Sequence, residues 1–223
     1  MINKELQQRI LSSIILIPVS FFFIIQGSFS FIFFLSLIFL ATSLEWFNMT
    51  KRKDLLRIFG LFFLFFSFFS TIYLRNYIGF NFFLFLIIIC IFTDIGGYIF
   101  GKTFKGPRLT KVSPKKTYSG VIGSFLFSLI FGLIYIKYLG QTGKILEIDL
   151  VFIILLILFI SLVSQIGDLT ISYFKRKAKL KNAGKIIPGH GGFLDRIDGI
   201  IFVMPITYLF VLPILINKLD FIK

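Results

Sequence analysis

Long, unbroken apolar runs dominate this sequence and restrict the possible fold more than any other feature. About 20 apolar residues span a bilayer as an α-helix, and the runs lack the ten-residue alternation of an outer-membrane barrel strand. A helix also satisfies its backbone hydrogen bonds internally, as the hydrocarbon core requires. We therefore predict an all-α, polytopic transmembrane bundle of about seven spans, at residues 10–25, 29–47, 58–74, 78–100, 120–138, 150–174 and 200–216.

The composition excludes a water-soluble globule. The chain is 57% hydrophobic and 15% charged, and 33 of its 223 residues are Phe. Spans and short loops use up nearly the whole length, so we predict one integral membrane domain over residues 1–223. Lys4 and Arg9 precede the first run as in a secretory signal, but no small-residue cleavage pattern follows, and we expect a retained helix. The single cysteine, Cys90, allows neither a disulfide nor a thiolate metal site, so a metal would need oxygen ligands.

Basic residues are distributed unevenly between the two ends of the predicted helices. If the amino terminus is cytoplasmic, the same side receives 2 Lys or Arg residues from the leader, 4 from 51–57, 6 from 102–116 and 7 from 175–196. This side therefore has 19 basic residues, whereas the other side has only 5: Arg75, Lys137, Lys144, Lys218 and Lys223. Because Lys and Arg in short loops favour the cytoplasm, the two long basic loops are predicted to lie inside the cell.

A basic surface can serve merely to anchor a protein to anionic lipid headgroups, and this explanation suffices for the cluster at 51–53. The loops at 102–116 and 175–196 carry more than charge, because they also contain Gly, Pro, Ser, Asp and the only His of the chain. Surface anchoring does not require these residue types, and we expect no nucleic-acid partner.

Two carboxylates, Asp94 and Asp168, fall within apolar runs, where each costs roughly 2.5 to 3.5 kcal/mol. Both lie about 10 to 12 Å from the basic loops at 1.5 Å per residue, so their depths match. Polar residues recur at helical spacing around Asp168 and predict a face that lines a cavity: Ser161, Ser164, Gln165 and Ser172. The alternatives are pairing with loop Lys or Arg that only holds helices together, and a proton relay in a transporter.

Residues 96–103, GGYIFGKT, match the nucleotide-binding phosphate-loop pattern letter for letter. That motif requires a strand before it and a helix after it, whereas a membrane helix precedes these residues and helix breakers follow. We therefore reject a phosphate loop. The small residues here and on the next span predict close helix packing instead: Gly97, Gly101, Ser119, Gly120, Gly123 and Ser124.

The segment 172–198, SYFKRKAKLKNAGKIIPGHGGFLDRID, carries the most specific pattern in the chain. Its Ser, Lys-Arg, later Lys, Pro-Gly-His-Gly-Gly and Asp-Arg-hydrophobic-Asp resemble the signature of the phosphatidate cytidylyltransferases, also called CDP-diacylglycerol synthases. Three further segments resemble parts of that family: TDIGGYIFGK from Thr93, SPKKTYSG from Ser113 and LQQRILSSIILIP from Leu6.

The resemblance implies a membrane enzyme that joins CTP and phosphatidic acid into CDP-diacylglycerol and pyrophosphate. It also implies Mg²⁺, with a monovalent cation such as K⁺ beside it. Asp168 and Asp195 are then the metal ligands with Asp198 as the third, and Ser172 completes the catalytic group. Residues expected to bind substrate, chiefly its phosphates, are Asp94, Ser113, Lys115, Lys116, Lys175, Arg176, His190, Gly191, Gly192 and Arg196. His190 is expected to donate a hydrogen bond to phosphate, and the glycines to offer backbone amides.

The chain departs from the family pattern at Asn182, where the family has Asp, so a carboxylate at this position cannot be essential here. Two other functions remain as alternatives: a CTP-dependent lipid kinase acting on polyprenols, and a cation or proton transporter using Asp94 and Asp168. The resemblance places the chain in a bacterial inner membrane with cytoplasmic catalytic loops. The oligomeric state is open, a homodimer included.

Overall fold

The computed structural model describes residues 4–51, 53–110, 112–141 and 149–214, and these residues form a bundle of helices. Six helices are long: α1 (Lys4–Gln26), α2 (Ser28–Met49), α3 (Asp54–Tyr73), α4 (Phe80–Thr103), α5 (Tyr118–Gln141) and α6 (Leu150–Lys177). Two short helices follow, α7 (Leu194–Ile197) and α8 (Ile200–Ile206). A π-helical turn extends α3 through Leu74–Ile78, and another, Thr207–Val211, continues α8.

The predicted all-α membrane bundle is confirmed. Each of the six long helices contains a stretch long and apolar enough to cross a bilayer. The seventh predicted span, 200–216, corresponds to a shorter apolar helix, Ile200–Ile214, whose described length is about 21 Å at 1.5 Å per residue. Several residues of the charge count and of this span lie outside the described residues: Arg52, Lys111, Lys144, Leu215, Ile216, Lys218 and Lys223.

Glycines bring α4 and α5 into close contact, as the small-residue pattern predicts. A Cβ added at Gly97 would lie 2.7 Å from the Ser124 hydroxyl, and one at Gly120 would lie 2.9 Å from the Gly97 carbonyl oxygen. The Ser124 hydroxyl donates to the Thr93 carbonyl at 2.8 Å across the same interface. Residues 96–103 are part of helix α4, so the rejection of a phosphate loop is confirmed.

The central helices α4 and α6 pack through both apolar and polar side chains. Leu86 and Ile89 of α4 and Ile157 of α6 are fully buried in the main apolar core. Nearer the basic loops, the Thr93 hydroxyl donates to the Ser161 hydroxyl at 2.9 Å, and both groups are buried. This change from an apolar to a polar interface marks the depth at which a cavity opens.

Candidate active site

A cavity of about 400 Å³ lies where α4, α5 and α6 meet the two basic loops and α7. Most of the residues that the sequence predicts for the site line this one cavity: Asp94, Ser113, Lys115, Lys116, Asp168, Lys175, Asp195, Arg196 and Asp198. They come from segments up to a hundred positions apart, so the fold brings together the intramembrane acids and both loops. Arg176, His190, Gly191, Gly192 and Ser172 lie outside its lining.

Three carboxylates, Asp94, Asp168 and Asp198, interact electrostatically within the cavity. Asp198 is buried between α7 and α8, and its carboxylate accepts a hydrogen bond from the Gly199 amide at 2.9 Å. Burial and the adjacent Asp168 carboxylate raise the pKa of Asp198 well above its ordinary value. The three side chains thus bring carboxyl groups together on one wall of the cavity.

Lys116 supplies positive charge to this cluster. Its ammonium group lies 2.5 Å from Asp168 Oδ2, and both side chains keep about a quarter of their surface exposed. On the other carboxylate oxygen, the Ser172 hydroxyl donates to Asp168 Oδ1 at 3.2 Å. Ser172 lies one helical turn beyond Asp168 on α6, so it orients this carboxylate from outside the cavity.

Asp195 has different surroundings, because internal donors occupy both of its carboxylate oxygens. Oδ1 pairs with the Lys175 ammonium at 2.8 Å, and both side chains are largely buried. Oδ2 accepts hydrogen bonds from the backbone amides of Ala183 at 2.8 Å and Gly192 at 3.0 Å. Asp195 thereby joins the end of α6 to the loop that precedes α7, although its side chain also borders the cavity.

The segment Pro188-Gly189-His190-Gly191-Gly192 forms a tight turn. The amides of His190 and Gly191 both donate to the Ile187 carbonyl, at 3.0 and 3.1 Å. Gly189 adopts φ 75°, a left-handed conformation that favours glycine. The amides of Gly191 and Gly192 are thus bonded to Ile187 and Asp195, so the predicted amide contacts with phosphate would require these internal bonds to break.

His190 points toward the amino-terminal helix. Its Nδ1 lies 2.7 Å from the Ser12 hydroxyl and its Nε2 lies 3.4 Å from the Ser13 hydroxyl. The Arg9 guanidinium donates to the adjacent Gly189 carbonyl at 2.9 Å. Burial, together with the positive charges of Arg196 and Arg9, lowers the pKa of His190. In this structure His190 therefore attaches the loop to α1.

The remaining cations fall into two groups. Arg196 lines the cavity, and its guanidinium donates to the His190 carbonyl at 2.7 Å. Arg176 instead connects the two basic loops, because it donates to the carbonyls of Val112 at 3.4 Å and Leu180 at 3.2 Å. The cations that line the cavity are therefore Lys115, Lys116, Lys175, Lys181 and Arg196, of which Lys175 is already paired with Asp195.

Comparison with known protein sequences places the chain that builds this site in a family. Residues 55–213 fit the sequence profile of the "Cytidylyltransferase family", a range that includes every cavity-lining residue. The chain belongs to this family. It is 35% identical over 216 residues to a "Phosphatidate cytidylyltransferase" of Rickettsia bellii, an alignment that covers 92% of this chain and 90% of that protein. A protein of the same name from Rickettsia felis is 36% identical over 216 residues, with 92% of each chain covered. One from Brucella suis is 37% identical over 154 residues, covering 68% of this chain and 55% of that protein.

Several residues in or beside the cavity are not among the site residues that the sequence predicts. Lys181 and Asn182 line the cavity, and Lys181 is the later Lys of the motif, so the pattern itself carried the signal. Glu45 lies outside the motif. Its signal in the sequence is an acidic residue within the predicted membrane span 29–47. Its side chain is 2% exposed and accepts hydrogen bonds from the amides of Phe193 and Leu194.

The donor chemistry of the cavity fits a hard divalent cation, because the charged ligands available are carboxylates. Within the described ranges, no three His, Cys, Asp or Glu side chains lie close enough together to hold a metal ion. Mg²⁺ does not require three, since it is commonly bound by one or two carboxylates, several waters and substrate phosphates. Asp168 and Asp198, whose carboxyl groups interact, are the residues that would hold such an ion.

Proposed function

We propose that this protein transfers CMP from CTP to phosphatidic acid, giving CDP-diacylglycerol and pyrophosphate for phospholipid biosynthesis. The observation that carries the proposal is the single cavity at the end of a membrane-spanning bundle, which collects both acids of the family motif, Asp195 and Asp198, and all of its predicted substrate-binding cations except Arg176. The Rickettsia proteins named phosphatidate cytidylyltransferase align with nearly the whole chain, which supports the same activity.

The reaction joins two anions, so its main electrostatic requirement is positive charge around phosphate. A phosphatidate oxygen forms a bond to the α-phosphorus of CTP as the bond from that phosphorus to the bridging oxygen breaks, and pyrophosphate leaves with the electron pair. A phosphate monoester is already ionised, so no strong base is needed. Positioning and charge stabilisation then account for most of the catalysis.

The cavity cations perform this positioning. Arg196 can bind two phosphate oxygens through its planar guanidinium, whereas Lys115, Lys116 and Lys181 act as point charges. Lys116 neutralises Asp168 in this structure, and its ammonium is also within the cavity that would receive CTP. Lys175 is bonded to Asp195 and buried, so its contribution is to hold α6 and the loop together.

We propose that Asp168 and Asp198 hold Mg²⁺, with Asp94 nearby and a monovalent cation such as K⁺ as a second ion. A bound Mg²⁺ would neutralise phosphate charge and stabilise the developing charge on the leaving pyrophosphate. Ser172 keeps the Asp168 carboxylate in one orientation through its hydrogen bond. Asp195, whose oxygens are already bonded, is assigned to shaping the loop.

We further propose that the cavity faces the cytoplasm of a bacterial inner membrane. The basic loops support this orientation through the distribution of Lys and Arg, and CTP is a cytoplasmic nucleotide. Phosphatidic acid would keep its acyl tails in the bilayer and present its phosphate near the ends of α4 and α6. All residues assigned to the site come from one chain, and a homodimer is compatible with this arrangement.

Product analysis tests the function directly. Protein purified in detergent is given labelled CTP, phosphatidic acid and Mg²⁺, and we expect pyrophosphate and a nucleotide-containing lipid in equal amounts. Formation of CDP and a phosphorylated lipid would instead identify a lipid kinase. Undiminished turnover in excess chelator would contradict the metal assignment.

A pair of lysine variants links the activity to the cavity. Lys116→Ala removes the cation that contacts Asp168, and we expect turnover to fall by about 100-fold, as for other electrostatic groups in active sites. Lys53→Ala removes an exposed cation from another loop and serves as the matched control, with activity expected near that of the unmodified protein. Equal activity of the two variants would exclude Lys116 from the phosphate site.

A further inference from the structure

Glu45 is a buried carboxylate that connects a membrane helix to the loop of the candidate site. It lies on α2, and its side chain is 2% exposed. Oε1 accepts a hydrogen bond from the Phe193 amide at 3.0 Å, and Oε2 accepts one from the Leu194 amide at 2.9 Å. These contacts join positions 148 and 149 residues apart in the chain.

Two glycines leave the space that this carboxylate occupies. A Cβ at Gly192 would lie 2.5 Å from Glu45 Oε2, and a Cβ at Gly184 would collide with Glu45 Oε1. Neither glycine has a positive φ, so backbone conformation alone does not require glycine at these two positions. Both glycines of the loop therefore pack directly against the Glu45 side chain.

The amides that Glu45 accepts from, those of Phe193 and Leu194, lie directly before the charged residues of the cavity. Leu194 is the first residue of α7, and Asp195, Arg196 and Asp198 follow within four positions. Arg196 and Asp198 line the cavity, where the proposed function requires a phosphate cation and a metal ligand. A shift of the Phe193–Leu194 backbone would displace both groups together.

We propose that Glu45 is a positioning residue for the reaction: it fixes the start of α7 and thereby the placement of Arg196 and Asp198. This inference rests on the proposed function. A carboxylate suits the task because two amide donors need two acceptor oxygens, and Glu provides both. Gln would offer one acceptor and one amide donor, so one of the two hydrogen bonds would be replaced by a donor facing a donor.

The test compares Glu45→Gln with Leu44→Ala, a matched change at the neighbouring, lipid-facing position that is 61% exposed. For Glu45→Gln we expect kcat to fall by about 30-fold, because small misplacements of catalytic groups are costly, while KM for CTP changes less than about threefold. Leu44→Ala should retain activity. A Glu45→Gln protein with the kcat of the unmodified chain would overturn the proposal.

Hydrogen exchange gives a readout that does not depend on activity. Peptides covering 186–198 should exchange faster in Glu45→Gln than in the unmodified protein, because either the Phe193 or the Leu194 amide loses its acceptor. Peptides from α4 and α5 should not change. Unchanged exchange at 186–198 would overturn the proposed contact even if the cytidylyltransferase activity were established, and the expected change would support it even if that activity were absent.

A second variant covers the case in which Glu45→Gln does not fold. Gly184→Ala keeps the carboxylate but places a methyl group against it. We expect the same combination of lower kcat and faster exchange at 186–198, with the fluorescence of Trp46, the only tryptophan, unchanged in a folded protein. Trp46 reports on the fold at this position because it packs edge-on against Phe174 at 5.1 Å. Normal kcat and normal exchange in Gly184→Ala would contradict the role of Glu45.

Discussion

At the scale of single residues, Asp168 and Asp195 show how similar carboxylates in one motif acquire different tasks. Asp168 faces the cavity and contacts a partly exposed Lys116, whereas Asp195 is bonded to Lys175 and to two backbone amides. Removing one partner of a buried ion pair typically costs about 3 to 5 kcal/mol, because it leaves the other charge uncompensated. Loss of charge at Asp195 should therefore affect stability, while loss at Asp168 should affect turnover.

We predict that Asp168→Asn lowers turnover by about 100-fold or more and changes the midpoint of thermal unfolding little. Asp195→Asn is expected to lower the unfolding midpoint clearly, because Lys175 loses its buried counter-charge. Thermal unfolding in detergent and turnover with Mg²⁺ check both. The reverse result, an unstable Asp168→Asn and a stable but inactive Asp195→Asn, would show that Asp168 is the structural residue and Asp195 the one needed for turnover.

Asn182 lies on the cavity wall beside Gly191, and the neighbouring Ala183 amide bonds to Asp195. We predict that Asn182→Asp changes turnover by less than about tenfold, or about 1.4 kcal/mol, because Asn and Asp have the same shape and share an acceptor oxygen. The added negative charge faces a cavity rich in lysine. Loss of activity, or a change in which metal supports turnover, would show that this site differs electrostatically from that of its relatives.

At this scale the sequence predicts which charged residues form the site, but it does not predict the hydrogen-bond partners of Glu45 and His190. Asp94, Asp168 and the two basic loops were predicted to meet, since charge inside an apolar run needs compensation. Glu45 obeys the same rule, but no sequence pattern reveals its partners, which are backbone amides almost 150 positions away. The contacts of His190 with Ser12 and Ser13 were equally hidden, since no periodicity connects a loop to the first helix.

At the scale of secondary-structure elements, hydrophobic length predicted the six long helices within several residues at most ends. The predictions were less complete where polar residues continue a helix, as in α6, which extends to Lys177 beyond the predicted end at 174. Helix α7, only Leu194–Ile197, has no apolar run that could predict it. Contacts of Leu194 with Glu45 and of Asp195 with Lys175 hold it in place instead.

The α4–α5 interface gives a prediction at this scale. A Cβ at Gly123 would lie 2.7 Å from the Gly96 carbonyl oxygen, which belongs to a helix backbone and cannot yield. A Cβ at Gly101 would lie 3.2 Å from the Thr117 hydroxyl, a side-chain group that can adjust, and 3.8 Å from the Gly120 Cα, which is ordinary van der Waals contact. We expect Gly123→Ala to lower the unfolding midpoint and Gly101→Ala to lower it much less, as measured by size-exclusion chromatography after heating. Equal effects would mean that the helices do not approach this closely.

At the scale of the whole molecule, the uneven distribution of basic residues predicts a single orientation. Asp54–Ile78 spans from Lys53 at one end to Tyr77 near the other, so these two positions should lie on opposite sides of the membrane. Lys53 belongs to the basic side and is exposed, and Tyr77 is 72% exposed. The same side as Lys53 should hold Lys185, which is exposed in the loop that carries the family motif.

Cysteine labelling can determine that orientation, because the chain has one cysteine and it is buried. Cys90 is 2% exposed within α4, so a charged maleimide should not reach it, and the unmodified protein is the control. In intact bacterial spheroplasts we expect Tyr77→Cys to be labelled and Lys53→Cys and Lys185→Cys to remain unlabelled until the membrane is permeabilised. The physical reason is the preference of Lys and Arg in short loops for the cytoplasm. Labelling of Lys185→Cys in intact spheroplasts would place the motif outside the cell. The site would then have no access to cytoplasmic CTP, which would contradict the proposed orientation.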